Sequence, residues 1–389
     1  MSKLILSSEL LNSLIDGRTP SKDDAYHIYH DAEMNPIDLY KVSQFLRTKN
    51  KGTRVTYSRK VFFNLINLCR DTCSYCTYKS EPGQAKVSML SKNDITSLAN
   101  MAKKQNCTEA LFVTGERPEQ KYQEARTWLK ENGFASTTEY LVAASEIALE
   151  AGLFPHTNAG NLTKDEMRQL KDTNVSLGLM LENSSERLSE EGMPHQFAPS
   201  KNPKARIKVL QNAGELKIPM TTGLLVGIGE SPHELIDSIY AIKEIHDKYQ
   251  NIQEIILQNF QPKTDTPMKS SPTPQEKYFK TLVALTRIIL PDMNIQIPPN
   301  LSPVSYSSFL SAGINDWGGI SPITLDYVNP EFPWPRISDV NTNCTDAGFH
   351  LRARFPVYPE FFHMVNPDLV SKMSKISDSE NLVSVEYAK

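Results

Sequence analysis

The sequence predicts an α/β fold, a (βα)8 barrel with N-terminal helices and a C-terminal extension, on three observations. Short apolar runs alternate with amphipathic helical stretches, the pattern of repeated βα units around a parallel sheet. Eight such runs can be counted, the number that closes a barrel. The helices between them begin with a Ser or Thr followed three residues later by an acid, a pairing that satisfies free backbone N–H groups.

In chain order, Thr19-Pro20 and Asn35-Pro36, the latter ahead of Leu39, Val42 and Leu46, open two helices with proline in the first turn. They give a helical cap over residues 1–57. The expected strands are Val61–Asn67, Ala110–Thr114, Leu153–Asn158, Val175–Leu181, Met220–Val226, Glu254–Asn259, Asn294–Ile297 and Ser311–Asn315. Ser91 with Asp94, Thr163 with Glu166, Ser231 with Glu234 and Thr273 with Glu276 read as capping boxes, the last two with proline at the first helical position. Leu235, Ile239 and Ile242, like Leu282, Leu285 and Ile289, repeat at helical spacing. The barrel takes residues 58–316. Beyond it Pro322, Pro330, Pro333 and Pro335 bar long regular structure, so Gly318–Arg336 is expected as an ordered loop or a wrap over the barrel mouth. A mixed segment to about Pro367, and a polar stretch from Ser371 that is either a frayed helix or disordered, complete an extension over residues 317–389.

A chain of 389 residues fits one barrel with flanking segments. The net charge of -3 leaves no whole-chain basic footprint, which argues against nucleic acid as the main partner. No apolar run is long enough to span a bilayer, and Met1–Leu14 lacks a cationic region ahead of a long hydrophobic core, so the expected location is cytoplasmic. Five cysteines, three of them clustered, do not form a disulfide framework.

That cluster is the most informative feature. Cys69, Cys73 and Cys76 lie in the run Asn67–Tyr78, with three and then two residues between them. Such a triad can hold three corners of a cubane 4Fe–4S cluster and leave the fourth iron without a protein ligand. His27 and His30 lie far upstream and Cys107 beyond a separate helical run, so no fourth ligand is near. A zinc site completed by a distant His or Cys is the alternative. Three unrelated buried thiols fit poorly with a loop that also carries Arg70, Asp71, Thr72 and Ser74. Cys107 and Cys344 read as small apolar core residues. Barrel chemistry sits at the C-terminal strand ends, and there the sequence offers Gly115-Glu116, His156-Thr157-Asn158, Glu182-Asn183, Gly227–Glu230, Gln258-Asn259 and Asn315-Asp316. Each alone could be an ordinary loop or cap; together they would ring one mouth.

The cysteine spacing resembles that of the radical S-adenosylmethionine (SAM) superfamily. The resemblance implies that the open iron chelates the amino and carboxylate groups of SAM, which one electron then splits to methionine and a 5′-deoxyadenosyl radical. It implies that Tyr75 lies against the adenine. Gly115 and Glu116 match a Gly-Gly-Glu-like segment whose acid accepts from the methionyl amine, with Thr114 in place of the first glycine. Glu182 and Arg187 resemble an acid and an arginine that contact the SAM ribose and carboxylate, though Glu186 and Arg187 could equally decorate a helix. The glycines from Gly223 to Gly229 resemble an adenine-facing element, or form a tight turn.

Further segments resemble one family, subunit 1 of FO (7,8-didemethyl-8-hydroxy-5-deazariboflavin) synthase. They are Tyr57–Phe62, Asn67–Tyr78, Leu111–Glu119, His156–Gly160, Leu179–Glu182 and, most specifically, Gly313–Pro322 continuing to Asp326–Glu331. This implies a lyase that abstracts hydrogen from an adduct of a 4-hydroxybenzyl group with a ribityl-diaminouracil, closes the ring and releases ammonia, in coenzyme F-420 biosynthesis. It also implies a second radical SAM subunit that supplies the adduct, and an electron donor such as ferredoxin or flavodoxin. Gln258, Asn259, Asn315 and Asp316 offer donors and acceptors for a pyrimidine and a polyol; Asn315 and Asp316 could instead only shape a turn. His156 and Asn158 are either substrate-facing or a satisfied core pair. The competing readings are the partner subunit that joins tyrosine to the uracil, a biotin-synthase-like reaction, and a zinc-stabilised binding protein.

Overall fold

The computed structural model describes residues 8–388. Residues 1–7, which belong to the expected helical cap and to the segment read for a leader, lie outside the described residues.

Among the described residues nine strands form one parallel sheet: β1 Arg54–Ile66, β2 Glu109–Thr114, β3 Phe154–Asn158, β4 Ser176–Gly178, β5 Met220–Val226, β6 Ile252–Asn259, β7 Asn294–Gln296, β8 Asp316–Ile320 and β9 His350–Arg354. β1 through β8 pair in sequence order, and β1 pairs with both β8 and β2, which closes the barrel. Strands covered on both faces need apolar runs rather than alternation. β6 shows this, with Ile252, Ile255 and Leu257 all buried.

The capping boxes at Ser91, Thr163 and Ser231 are present, and a further one joins Ser21 to Asp24. The expected box at Thr273 is absent. Helix Glu276–Ile289 starts after Gln275 without a side-chain cap, and Thr273 donates instead to Gln261.

Helices Lys22–Met34 and Ile37–Lys51 lie on the barrel flank. Tyr40 meets Thr281 of the helix 276–289, and Ser43 donates to the Ala312 carbonyl at 2.7 Å.

The eighth strand corrects the sequence reading. The expected Ser311–Asn315 is not a strand: Tyr306–Ala312 forms a 3-10 helix that stops at Gly313, and the strand runs Asp316–Ile320. Gly313 has φ +97°, and a Cβ there would stand 2.3 Å from Ser43 Oγ. An apolar run therefore ends in a turn that only glycine allows. The proline-rich segment 321–336 does cover the cavity, but Gly318–Ile320 belong to β8. Thr324 Oγ1 accepts from the Phe62 N–H, while Thr77 and Lys263 both donate to the Val328 carbonyl.

The unforeseen element is β9. It pairs in parallel with the lower half of β1, Arg54 facing His350 and Ser58 facing Arg354. Residues 355–358 then enter the foot of the barrel, where the Pro356 carbonyl accepts from Ser176 and Gln253. The extension thus forms the cavity floor. The stretch from Ser371 is packed rather than frayed, since Met373, Leu382 and Val383 are buried.

Candidate active site

A cavity of about 320 Å³ runs through the barrel from the cysteine loop to that floor. Cys69, Cys73 and Cys76 all line it, and all three are free thiols. Their loop is tied down by backbone bonds: Arg70 N–H to the Glu116 carbonyl at 2.8 Å, Thr72 N–H to Phe197 at 2.8 Å and Ser74 N–H to Pro194 at 2.9 Å. The Glu116 N–H donates to Cys69 Sγ at 3.2 Å. Gly115 is required by this close approach, because a Cβ would stand 2.0 Å from the Leu68 carbonyl oxygen.

Burial pushes the Cys69 thiol up to about 11 and the Cys73 thiol up to about 12. They therefore need a bound cation to ionise at neutral pH. Among the described residues no three His, Cys, Asp or Glu side chains converge on one metal ion.

The donor set around the triad fits a cluster with SAM. Glu116 Oε2 accepts the Asn161 N–H at 2.9 Å, while Oε1 is buried without a hydrogen-bond partner, 3.7 Å from Arg117 Nε and 4.0 Å from Arg70 Nη2. Glu182 pairs with Lys201 at 2.5 Å through Oε1, and its Oε2 is likewise buried and unpartnered. Glu182 also holds φ +64°, a left-handed conformation that costs a non-glycine residue roughly 1–3 kcal/mol. Buried acceptors left open are expensive unless a ligand fills them. Tyr75 lines the cavity, and its hydroxyl meets His195 Nε2 at 3.0 Å.

His156, Asn158, Gln258 and Asn259 also line the cavity. His156 Nδ1 lies 2.6 Å from Ser176 Oγ, and Asn259 donates to the Leu301 carbonyl. Burial pushes the His156 imidazole from 6.5 down to about 4, so between those values the unfolded chain binds a proton that the folded chain does not. Stability therefore falls as pH drops through that window. His156→Gln should show a shallower decline of the urea midpoint from pH 6.5 to pH 4 than the wild type.

Three expected contacts are corrected. Arg187 forks onto Glu234 at 2.6 and 2.9 Å, donates to the Gly229 carbonyl and is not on the cavity wall. It is a surface brace from the loop after β4 to the helix Pro232–Tyr249. Asn315 lies at the foot of β8, bonded to Arg287, Ile295 and Asn294. Asp316 is fully buried against Arg354. Asn315 precedes the strand and Asp316 opens it, rather than following it, because the strand begins where the expected one ended.

Lys201 and Arg206 occupy the cavity wall where Arg187 was expected. They arrive on Pro199–Lys201 and helix Pro203–Glu215, and Arg206 bonds the carbonyls of Ser200 and Met180. The Pro199-Ser200-Lys201-Asn202-Pro203 run was the available signal, a proline-bracketed turn leading into a helix. Asp71 was passed over as a polar loop residue. It bonds Ser200 through Oδ2 and leaves Oδ1 buried and open.

Comparison with known proteins agrees with this geometry. Residues 63–240 match the Radical SAM superfamily model. The chain is 45% identical over 329 residues to the 7,8-didemethyl-8-hydroxy-5-deazariboflavin synthase of Methanopyrus kandleri, covering 84% of this chain and 98% of that protein. It is 42% identical to the like-named protein of Methanocaldococcus jannaschii, over 88% of this chain and 93% of that one. The FO synthase of Streptomyces coelicolor is 40% identical over 86% of this chain, which spans 40% of that protein. Among solved structures, the FeFe-hydrogenase maturase HydG from Carboxydothermus hydrogenoformans superposes with a TM-score of 0.73 at 20% identity, covering 98% of this chain and 86% of that one. Methylornithine synthase, PylB, gives 0.69 at 16% identity over 88% and 96%. At these identities the two structures show the barrel fold alone. Among the described residues no helix is long and apolar enough to cross a membrane.

Proposed function

The chain belongs to the 7,8-didemethyl-8-hydroxy-5-deazariboflavin synthase family of radical SAM proteins, and from that premise we propose that it is subunit 1 of FO synthase. It acts as an ammonia-eliminating lyase on the 5-amino-5-(4-hydroxybenzyl)-6-(ribitylimino)-dihydrouracil adduct, in coenzyme F-420 biosynthesis in the cytoplasm. The observation that carries this reading is 45% identity spanning 98% of the Methanopyrus kandleri synthase.

Cys69, Cys73 and Cys76 would hold a 4Fe–4S cluster, with SAM beside it. When bound, this pair supplies one-electron cleavage of a sulfonium bond and hydrogen-atom abstraction. The chain's own residues bind, orient and exclude water. Glu116 and Glu182 turn their open oxygens to the methionyl amine and the ribose hydroxyls. Lys201 and Arg206 serve the carboxylate in place of Arg187. Tyr75, steadied by His195, offers its ring to the adenine. Gln258 and Asn259 orient the pyrimidine and its polyol, and the segment 321–336 closes the wall around the reacting carbon. A second radical SAM protein supplies the adduct, and ferredoxin or flavodoxin supplies the electron.

The test is product analysis under anaerobic conditions with reconstituted protein, SAM and a reductant. Adduct should yield the deazaflavin, 5′-deoxyadenosine and ammonia, while tyrosine with ribityl-diaminouracil should yield nothing. The reverse pattern would make the chain the partner subunit.

A further inference from the structure

One cavity cation has a built berth and no bonded counter-ion. Lys60 projects from β1 onto the cavity wall and is 8% exposed. Its stem lies along Gly319 of β8, where a Cβ would stand 2.2 Å from Lys60 Cδ. Its ammonium sits 4.3 Å from the ring centre of Trp334 and 5.7 Å from that of Phe62. Among the described residues no acceptor is bonded to Nζ.

The nearby acids do not fill that role. Glu254 is engaged by Arg354, Thr221 and Tyr358, and Asp326 by Asn300, Asn329 and the Val328 N–H. Glu109 is the register partner of Lys60 on β2, yet among the described residues no ion pair joins the two. Burial pulls the Lys60 ammonium below the ordinary lysine range and Arg354 adds to this, while Glu109, Asp326 and Glu254 oppose it. Beside it the Trp334 indole N–H is buried without a partner. An aromatic wall, a free ammonium and a nearby unpaired carboxylate make a receptor for one chemical group, an acidic oxygen carried on a flat ring.

We propose that Lys60, set by Gly319 and Trp334, is the specificity residue that binds such a ring oxygen of the substrate at the cavity floor. Resting on the synthase reading, this deepens it. The oxygen is either the phenol of the hydroxybenzyl ring or a pyrimidinedione oxygen, and both sources survive in the deazaflavin product. Product binding therefore reports on the subsite without turnover.

The experiment measures the affinity of reconstituted full-length protein for FO, for its analogue lacking the 8-hydroxyl, and for one with methyl in place of ribityl. Lys60→Met should weaken FO binding about tenfold to a hundredfold, the loss expected for a charge-assisted hydrogen bond. If the 8-deoxy analogue is bound equally by both proteins, the phenol oxygen is the ligand. In that case wild-type protein also lowers the pH at which bound FO shows its ionised absorbance band. If the analogue weakens as FO does, the pyrimidinedione oxygen is the ligand. Gly319→Ala retains the lysine but displaces it, so the same losses should appear even where Lys60→Met folds poorly. Unchanged FO affinity in both variants, or a loss that vanishes without the ribityl chain, overturns the proposal. Failure of wild-type protein to bind FO at all would instead overturn the synthase reading and take the subsite with it.

Discussion

Cys73→Ala should leave a folded chain that no longer assembles its cluster, with 5′-deoxyadenosine and deazaflavin formation both at background. The fold survives because the loop's shape comes from main-chain bonds that the substitution leaves alone: Thr72 to Phe197, Ser74 to Pro194, and the Cys76 N–H to the Cys73 carbonyl at 3.1 Å. Removing one half-buried sulfur costs a small cavity term, on the order of 1 kcal/mol. Losing one of three thiolates has no such compensation, since among the described residues the cavity is lined by no Cys or His beyond the triad except His156 deeper down. Iron and sulfide content, the visible charge-transfer band and thermal melting separate the two effects. A variant that still holds four irons would remove Cys73 from the ligand set and with it the premise of an open iron.

The parts of this site that sequence made legible are those whose chemistry is local. A triad within one loop, a Gly-Glu pair after a strand and the capping box at Ser91 are each written over a few neighbouring residues, and the first two line the cavity while the third starts its helix. What escaped depends on distant pairing. Arg354 sits in the apolar run Ala353–Val357, and only the parallel pairing of β9 with β1 turns it into the floor of a cavity bounded by β6 and β8. Lys201 and Arg206 enter through a proline-bracketed turn that announces a helix start but not that its side chains reach the cavity. Arg187 was misread because an arginine near a strand end can reach a ligand or a helix cap, and the N-terminal turn beginning at Ser231 and Glu234 lay within its reach. β8 was displaced by one strand length because Ile314 and the residues before it are as apolar as a strand, while the turn at Gly313 depends on Ser43 and Arg287 packing against it.

That displacement changes the expected behaviour of Asp316. As a substrate contact, Asp316→Ala would cut product formation and spare the folded state. The structure makes it a keystone instead. Asp316 receives Arg354 Nε at 2.6 Å and Nη2 at 3.0 Å, together with the Gly318 N–H at 2.5 Å and the Thr56 hydroxyl. Arg354 is 2% exposed, and its remaining anionic partner is Glu254 at 3.1 Å. Asp316→Ala removes two of the carboxylate contacts of Arg354 and leaves the buried guanidinium with Glu254 alone, so it should lower unfolding free energy by about 3–5 kcal/mol. Loss of the network also unpins residues 355–358 from the barrel foot, because Tyr358 is held by the same Glu254 carboxylate at 2.9 Å. A triple variant, Asp316→Leu with Arg354→Met and Glu254→Gln, should be more stable than Asp316→Ala alone, since it strands neither the cation nor its second carboxylate partner. Denaturant unfolding of the three proteins, read beside turnover at a temperature where all are folded, distinguishes the roles. A stable Asp316→Ala protein with normal cluster content and a raised KM would return Asp316 to the substrate, and with it the mouth-end position that β8 now denies it.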